Sequence, residues 1–432
     1  MKKSTNTRRK FLKHGATTVA AFTIVPRFVL GGNGYLPPSD KITLGIIGTG
    51  KQSKGLGKRM MELPGTQMIA ACDVDQQKLK RFEQMANAYY SEKMDNDSYR
   101  ACRTYEDYEE LLNRDDIDAV VIATPDHWHA KMSIDAMKAG KDVYCEKPLA
   151  HTVEEGRLMV KAAEKYDKIL QTGSMQRSWD KFRHAVELVR NGYLGEIKTI
   201  KVNVGAPALQ DDLTKETTPK YLNWDRWLGA APNTGYHPIL SPPIENDIWP
   251  KWRDYKEYGG GILCDWGAHM FDIAQWALDM DASGPVEYIP PSDPKATRGM
   301  KYVYANGIEM YHEDFGRGWA VQFNGTEGKI EVSRRFLESD IEGLVDRKIG
   351  ANEERVYFSN SHTKNWLDCI KNRKQPICPA EIGHRTASIC NISNIAYQLG
   401  RPLKWNPKKE KFKGDKEANK MRGKEYRTGY EI

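Results

Sequence analysis

Lys147 lies in Glu146-Lys147-Pro148, at the end of the short apolar run Asp142-Val143-Tyr144-Cys145. Proline has no N–H to continue a sheet ladder, so the run stops there and the lysine is aimed into the crevice at the strand's end. An ammonium group in such a crevice can stabilise an oxyanion as it forms. A second chemical segment is Gly259-Gly260-Gly261-Ile262-Leu263-Cys264-Asp265-Trp266-Gly267-Ala268-His269. Asp265 and His269 are four apart and share one face if the segment is helical; Asp272 extends that face. A histidine can take a hydroxyl proton near neutral pH, and an aspartate one turn away can hold substrate or orient the imidazole. The glycine run before them lets backbone approach a ligand closely.

A third segment supplies the setting. Gly48-Thr49-Gly50-Lys51-Gln52-Ser53 follows the apolar run Ile42–Ile47 and opens a helical pattern. One glycine makes the tight turn and the second lets the backbone approach a pyrophosphate at the helix N-terminus, which places Gly48, Gly50, Lys51 and Gln52 against a dinucleotide. Ser53 stands where a third glycine is usual, and its small side chain still permits close packing. Asp73 ends the next strand, where a carboxylate accepts from ribose hydroxyls and repels a 2′-phosphate; this predicts NAD over NADP. Thr124-Pro125-Asp126-His127-Trp128-His129 reaches the same edge. Thr124, Pro125, His127 and His129 are expected to cover the cofactor, with Glu146 and Lys147 beside them. No cysteine or acid pair with ligand spacing surrounds the two histidines, so no metal is expected there.

These segments need a parallel sheet to hold them, and the pattern supplies one. Buried strands are expected at Ile42–Ile47, Met68–Cys72, Ala119–Ala123, Asp142–Cys145 and Ile169–Gln171, separated by helices over 54–63, 76–88, 130–139 and 153–166, with a short helix beginning at Tyr105. Such alternation predicts an α/β fold: an N-terminal Rossmann unit with a doubly wound parallel sheet over 41–173. From 174 to 403 the pattern changes to alternating strands and Trp-, Pro- and Gly-rich loops, an α+β domain with a large, mostly antiparallel open sheet for substrate binding and oligomerisation. Residues 324–328 read as the turn of a hairpin. Residues 404–432 read as a basic, solvated tail, and 33–40, with Gly34, Pro37 and Pro38, as a linker.

The chain has 432 residues and a net charge of +7. Lys2, Lys3, Arg8, Arg9, Lys10, Lys13 and Arg27 supply that whole excess before any acid appears, so the body is neutral and does not read as a nucleic-acid binder. Seven cysteines without a C-x-x-C pair form neither a disulfide framework nor a zinc ribbon. Thr7-Arg8-Arg9-Lys10-Phe11-Leu12-Lys13 resembles a twin-arginine signal, and Ala16–Val25 is too short to span a bilayer, so 1–32 reads as a leader. This predicts a periplasmic protein exported folded, with its cofactor loaded first and no integral membrane segment in the mature form.

Taken together, the GTG turn, Thr124-Pro125, Glu146-Lys147-Pro148 and the glycine-led D-x-x-x-H resemble the Gfo/Idh/MocA oxidoreductases, from about Lys41 to Pro407. The resemblance implies NAD(P) in the first domain and a sugar or polyol against the open sheet of the second. It implies that Lys147 and His269 are catalytic and that Asp265 assists them and touches substrate. It places Gln176 by the nicotinamide and Arg253 on the substrate. Trp224, Trp227, Trp249 and Trp252 crowd the segment expected to face the sugar, Trp227 among the candidates for contact.

The expected function is oxidation or reduction of a secondary hydroxyl or keto group of a sugar or glycoside, with tightly bound NAD. The alternative is an NAD-dependent glycosidase acting by oxidation, elimination, addition and reduction. A non-catalytic NAD- or sugar-binding protein fits less well with Lys147 and His269 both present. A one-sided sheet in the second domain predicts a homodimer or homotetramer.

Overall fold

A computed structural model describes residues 41–432 except Tyr99 and Ala101. The leader 1–32 and the linker 33–40 therefore lie outside the described residues. In chain order the first elements are β1 (Ile42–Ile47), α1 (Lys51–Glu62), β2 (Thr66–Cys72), α2 (Gln76–Met94), β3 (Arg103–Tyr105), α3 (Tyr108–Leu112), β4 (Ala119–Ile122), α4 (Asp126–Lys138), β5 (Asp142–Cys145), α5 (Val153–Lys165) and β6 (Leu170–Thr172). Then come α6 (Asp180–Arg190), β7 (Ile197–Asn203), α7 (Trp224–Leu228), α8 (Gly261–Ala277), β8 (Glu287–Ile289), β9 (Met300–Val303), β10 (Glu309–His312), β11 (Ala320–Gly325), β12 (Lys329–Ser333) and β13 (Leu337–Ser339). The last are α9 (His362–Asn372), α10 (Ala380–Leu399), β14 (Leu403–Asn406), β15 (Lys411–Phe412) and α11 (Lys416–Lys420).

The first six strands pair in parallel in the order β3-β2-β1-β4-β5-β6. Their apolar runs are buried on both sides, as a sheet with helices on both faces requires. Val120 and Ile122 of β4 pack with Trp128, Met132 and Met159 on one face. Ala119 and Val121 pack with Leu56, Met60 and Phe82 on the other, joined there by Trp366 and Leu367 of α9. Thus a helix from late in the chain returns to complete the second layer. β3 is a three-residue edge strand, and helix α3 starts only at Tyr108, capped by the Asp107 carboxylate on Glu109 N–H. An exposed edge strand carries no apolar alternation, so the sequence suggested a helix from Tyr105 instead.

The second sheet has nine strands in the order β13-β12-β11-β7-β10-β9-β8-β14-β15. β7 and β10 pair in parallel and the other neighbours antiparallel, and the expected hairpin is β11–β12. One face is covered by α6, α8 and α10 through Phe182, Phe271 and Ile389. The other carries a polar row across six strands: Lys301, Tyr311, Lys201, Gln322, Glu331 and Glu338.

The basic C-terminal stretch is not a solvated tail. β14 and β15 form the far edge of the nine-stranded sheet, with Trp405 and Phe412 buried edge to face, their ring centroids 4.8 Å apart. Beyond α11 the chain returns to the parallel-sheet region. Lys424 Nζ pairs with Glu155 Oε1 at 2.7 Å, Arg427 with Asp225 at 2.9 Å, and Tyr430 meets Trp128 edge-on. The basic residues found acids distant in sequence, which local charge mixing could not reveal. No helix among the described residues is long and apolar enough to cross a membrane.

Candidate active site

A cleft of about 1160 Å³ runs along the carboxyl ends of the parallel strands. Its wall includes Gly48, Gly50, Lys51 and Gln52 after β1, Asp73 after β2, Thr124 and Pro125 after β4, and Glu146 and Lys147 after β5. Asp265, Trp266 and His269 of α8, together with Arg253 and Arg334, face them from the second domain.

The glycine turn has the features a dinucleotide needs. Gly48 has φ +88°, and a Cβ there would lie 2.8 Å from the Ala123 carbonyl group. A Cβ at Gly50 would meet nothing within 4 Å, so the backbone stays open to the cleft. Gly50 caps α1 with no side-chain hydrogen bond, leaving the helix's first N–H groups for an anion. Ser53, in place of the third glycine, is buried and donates its hydroxyl to the Gly48 carbonyl, tying the turn shut. The Asp73 carboxylate accepts from Thr49 N–H at 2.6 Å and from the Thr49 hydroxyl at 3.0 Å, and burial raises its pKa. Thr124 Oγ1 is buried on the cleft wall without a partner. These residues fit a bound dinucleotide.

The reactive end is built where β5 meets α8, and the Lys147-Pro148 peptide bond there is cis. Lys147 Nζ donates to Asp265 Oδ1 at 2.5 Å and to the Asp265 carbonyl oxygen at 2.8 Å. Arg253 Nε lies 3.4 Å from the same Oδ1, its guanidinium over the rings of Trp252 and Trp249. Burial pushes the Asp265 carboxyl up, but Lys147 and Arg253 outweigh it and hold the pKa below its ordinary value. One turn along α8, His269 is buried with Nδ1 unpartnered. Burial, then Lys147 and Arg334, push its pKa well below the usual range, so the imidazole is neutral. A neutral imidazole beside an ammonium group can accept a proton while the ammonium stabilises the oxygen that gives it up.

Residues 42–174 match an oxidoreductase family with an NAD-binding Rossmann fold, and residues 200–432 match that family's C-terminal alpha/beta domain. The chain belongs to the Gfo/Idh/MocA oxidoreductase family. A glycosyl hydrolase family 109 protein of Shewanella pealeana is 34% identical over 163 residues, covering 38% of this chain and 35% of the relative. An alpha-N-acetylgalactosaminidase of Shewanella oneidensis is 31% identical over 208 residues, covering 44% of each. The chain thus spans less than half the length of these relatives. Among solved structures, the WlbA dehydrogenase of Bordetella pertussis, in complex with NADH and UDP-GlcNAcA, superposes with a TM-score of 0.59 at 18% identity, over 85% of this chain and 98% of that one. That likeness shows the shared fold.

Within this Gfo/Idh/MocA framework several expected contacts fall elsewhere. His127 is buried off the cleft wall, with Nε2 3.1 Å from the Trp227 carbonyl and Nδ1 3.3 Å from that of Tyr258. His129 spans the Pro148 and Thr124 carbonyls at 2.8 and 3.0 Å. Burial lowers its pKa to about 4. Both rings lie off the cleft wall and act as struts against backbone carbonyls of the fold. Gln176 is buried off the wall, its Oε1 accepting from Arg334 Nε at 3.0 Å. Trp227 reaches the wall but is mainly packed, stacked on Trp224 with ring centroids 4.4 Å apart. The glycine run approaches the protein itself. Gly261 has φ +73°, and a Cβ there would lie 2.5 Å from the backbone at Pro207 and Ala208.

Other wall residues escaped the sequence reading. Asp126, at the first turn of α4, is buried, and its pKa is raised well above the ordinary value by burial and then by Asp265. It lies inside a motif whose histidines drew attention first. Segment 241–252 also lines the cleft, with the Asp247 carbonyl accepting from Lys51 Nζ. Gly429 and Tyr430 line it too.

Proposed function

We propose that this protein is an NAD-dependent oxidoreductase acting on a secondary hydroxyl or keto group of a sugar or glycoside, with the cofactor held tightly. One observation carries the reading: the Lys147–Asp265 pair and the neutral, unpartnered His269 face the dinucleotide cleft together. Gly48, Gly50, Lys51, Gln52, Asp73 and Thr124 would hold the cofactor, which supplies a hydride acceptor or donor when bound. The Lys147 ammonium has three hydrogens, and two are used on Asp265. The third is free to donate to the substrate oxygen and stabilise it as charge develops. His269 takes the hydroxyl proton in oxidation and returns it in reduction. Asp265 fixes the directions of Lys147 and Arg253.

Asp73 on the cleft wall supports NAD over NADP, since its carboxylate repels a 2′-phosphate. The terminal Gly429–Tyr430 on the cleft wall, with Tyr430 packed on Trp128, supports tight retention. The Arg8-Arg9 pair and the apolar run behind it motivate a periplasmic location, reached by a twin-arginine route. A homodimer or homotetramer packed on the polar sheet face completes the proposal; light scattering on the purified protein checks it.

The similarity to glycosyl hydrolase family 109 proteins favours a second reading, in which the same proton and hydride transfers assist glycoside hydrolysis. Glycosides offered to protein purified without added cofactor separate the two. A keto-sugar product with reduced nicotinamide supports net oxidation, whereas hydrolysis with no lasting change in nicotinamide absorbance supports the second. Recovery of cofactor-free protein that exchanges NAD freely would sink tight retention. Near-normal rates in both Lys147→Ala and His269→Ala would refute the assigned roles, since each should lose about 10²–10⁴ in turnover.

A further inference from the structure

Arg334 follows β12 and enters the cleft beside His269. Its Nε donates to Gln176 Oε1 at 3.0 Å, and no other hydrogen bond or carboxylate contact engages it among the described residues. Its guanidinium lies over Trp266, 4.6 Å from the ring centroid, and over Trp179 at 5.3 Å. Trp266 in turn stacks on Trp319, with centroids 4.4 Å apart, and meets the His269 imidazole edge-on. At the reactive end, Lys147 and Arg253 share Asp265 as their ion-pair partner. Arg334, beside them, has no partner for its two terminal nitrogens among the described residues. Burial lowers its pKa, and Asp265 and Glu146 oppose this only from a distance. A guanidinium taken partly out of water without an anion is costly, and its planar fork matches a carboxylate with two parallel hydrogen bonds.

Resting on the oxidoreductase reading above, we propose that the substrate is an acidic sugar, a uronic acid or its glycoside, whose carboxylate is bound by Arg334. The aromatic rings fix the plane of the guanidinium, and Gln176 fixes its rotation by taking Nε, so both terminal N–H groups point one way. A carboxylate held there lies beside His269, which places a ring hydroxyl of the same sugar within reach of Lys147. A phosphate ester would draw on several donors or a helix N-terminus, and a single fork is better suited to a carboxylate.

The test uses the as-purified holoprotein and calorimetric titration with paired methyl glycosides: glucuronide against glucoside and galacturonide against galactoside. At least one uronide is expected to bind tenfold or more tightly than its neutral partner, and Arg334→Gln to bring that ratio near one. Arg334→Lys should restore only part of it, because a lysine lacks the fork. Ratios near one in both wild-type pairs would overturn the proposal, whether or not the variants fold. So would a ratio unchanged in Arg334→Gln, or tighter binding of the corresponding sugar 6-phosphates. Nicotinamide absorbance recorded in the same samples separates this proposal from the one it rests on. Oxidation of neutral glycosides without preference sinks the acidic-sugar assignment alone. An Arg334-dependent preference with no change in absorbance for any sugar sinks the oxidoreductase reading alone.

Discussion

A double-mutant cycle on Lys147 and Asp265 tests whether the two act as a unit. Their side chains are 14% and 16% exposed and 2.5 Å apart, so the pair is largely buried. Removing one partner of a fully buried pair costs about 3–5 kcal/mol, and the residual exposure lowers that somewhat. The two single variants are not equivalent. Lys147→Met leaves Asp265 with Arg253 at 3.4 Å, a cation that still opposes burial. Asp265→Asn leaves Lys147 and Arg253 both uncompensated. The expected losses are therefore about 2 kcal/mol for Lys147→Met and about 3 kcal/mol for Asp265→Asn. The double variant should lose less than their sum by about 1–2 kcal/mol, because only Arg253 is then unpaired. Urea unfolding measures these terms. Turnover followed by nicotinamide absorbance should fall about 10²–10³-fold in each single variant, and no further in the double than in the worse single. Stability losses that add within about 0.5 kcal/mol, with rate losses that multiply, would show that the residues act independently and refute the reasoning.

Burial holds the imidazoles of His129, His312 and His362 at about 4 and that of His151 at about 3. These groups are neutral in the folded chain and protonate near 6.5 when unfolded, so their stabilising effect is complete above that pH and is lost as pH falls toward 4. Each should cost about 2 kcal/mol at pH 5, and thermal melts should fall steeply from pH 7 to 5; a flat profile would contradict these environments. His127→Ala should lower stability by about 1–3 kcal/mol through loss of the buried ring's packing and its one N–H hydrogen bond, the Trp227 and Tyr258 carbonyls keeping Trp128 Nε1–H and the residue-127 N–H, while NAD affinity measured by calorimetry stays put. Lys424→Ala should cost about 2–3 kcal/mol in urea, because the Glu155 carboxylate is 1% exposed and loses its cation.

The parallel sheet was legible because β-branched and apolar runs buried on both faces leave a continuous signal, as in Val120–Ile122. Lys147, Asp265 and His269 were legible because proline ends a strand at one position and helical spacing joins the other two. His127 and His129 show the limit of such reading. The sequence displays two imidazoles at a sheet edge, but whether the ring nitrogens meet a ligand or a backbone carbonyl depends on residues such as Tyr258, 131 positions away. Arg334 was illegible for the same reason. Nothing in Ser333-Arg334-Arg335 marks one arginine as cleft-facing, and its partners Gln176 and Trp266 come from two other elements. The glycine run was seen, but its reason was not: Gly261 makes room for the 207–208 backbone and so sets the start of α8, which in turn places Asp265 and His269.

The two segments that close the cofactor cleft are held very differently, and this decides how a cofactor gets in. Segment 241–252 is joined to α1 through Asp247, whose carboxylate is 65% exposed and lies 3.6 Å from both Lys51 and Lys54. Exposed ion pairs are weak and screened by salt. Ile248 and Trp249 on the same segment are themselves exposed and add little burial. The C-terminal segment is anchored by Lys424 on the buried Glu155, by Tyr426 on the same carboxylate at 3.2 Å, and by Tyr430 against Trp128. The first segment should therefore open and the second should not, so a dinucleotide enters past Asp247. Hydrogen exchange followed by mass spectrometry tests this in protein stripped of cofactor. Amides of 244–249 should exchange faster than those of 424–430 and should slow when NAD is added. Equal rates in the two segments, or NAD protection confined to 424–430, would reverse the assignment and make the C-terminal segment the gate.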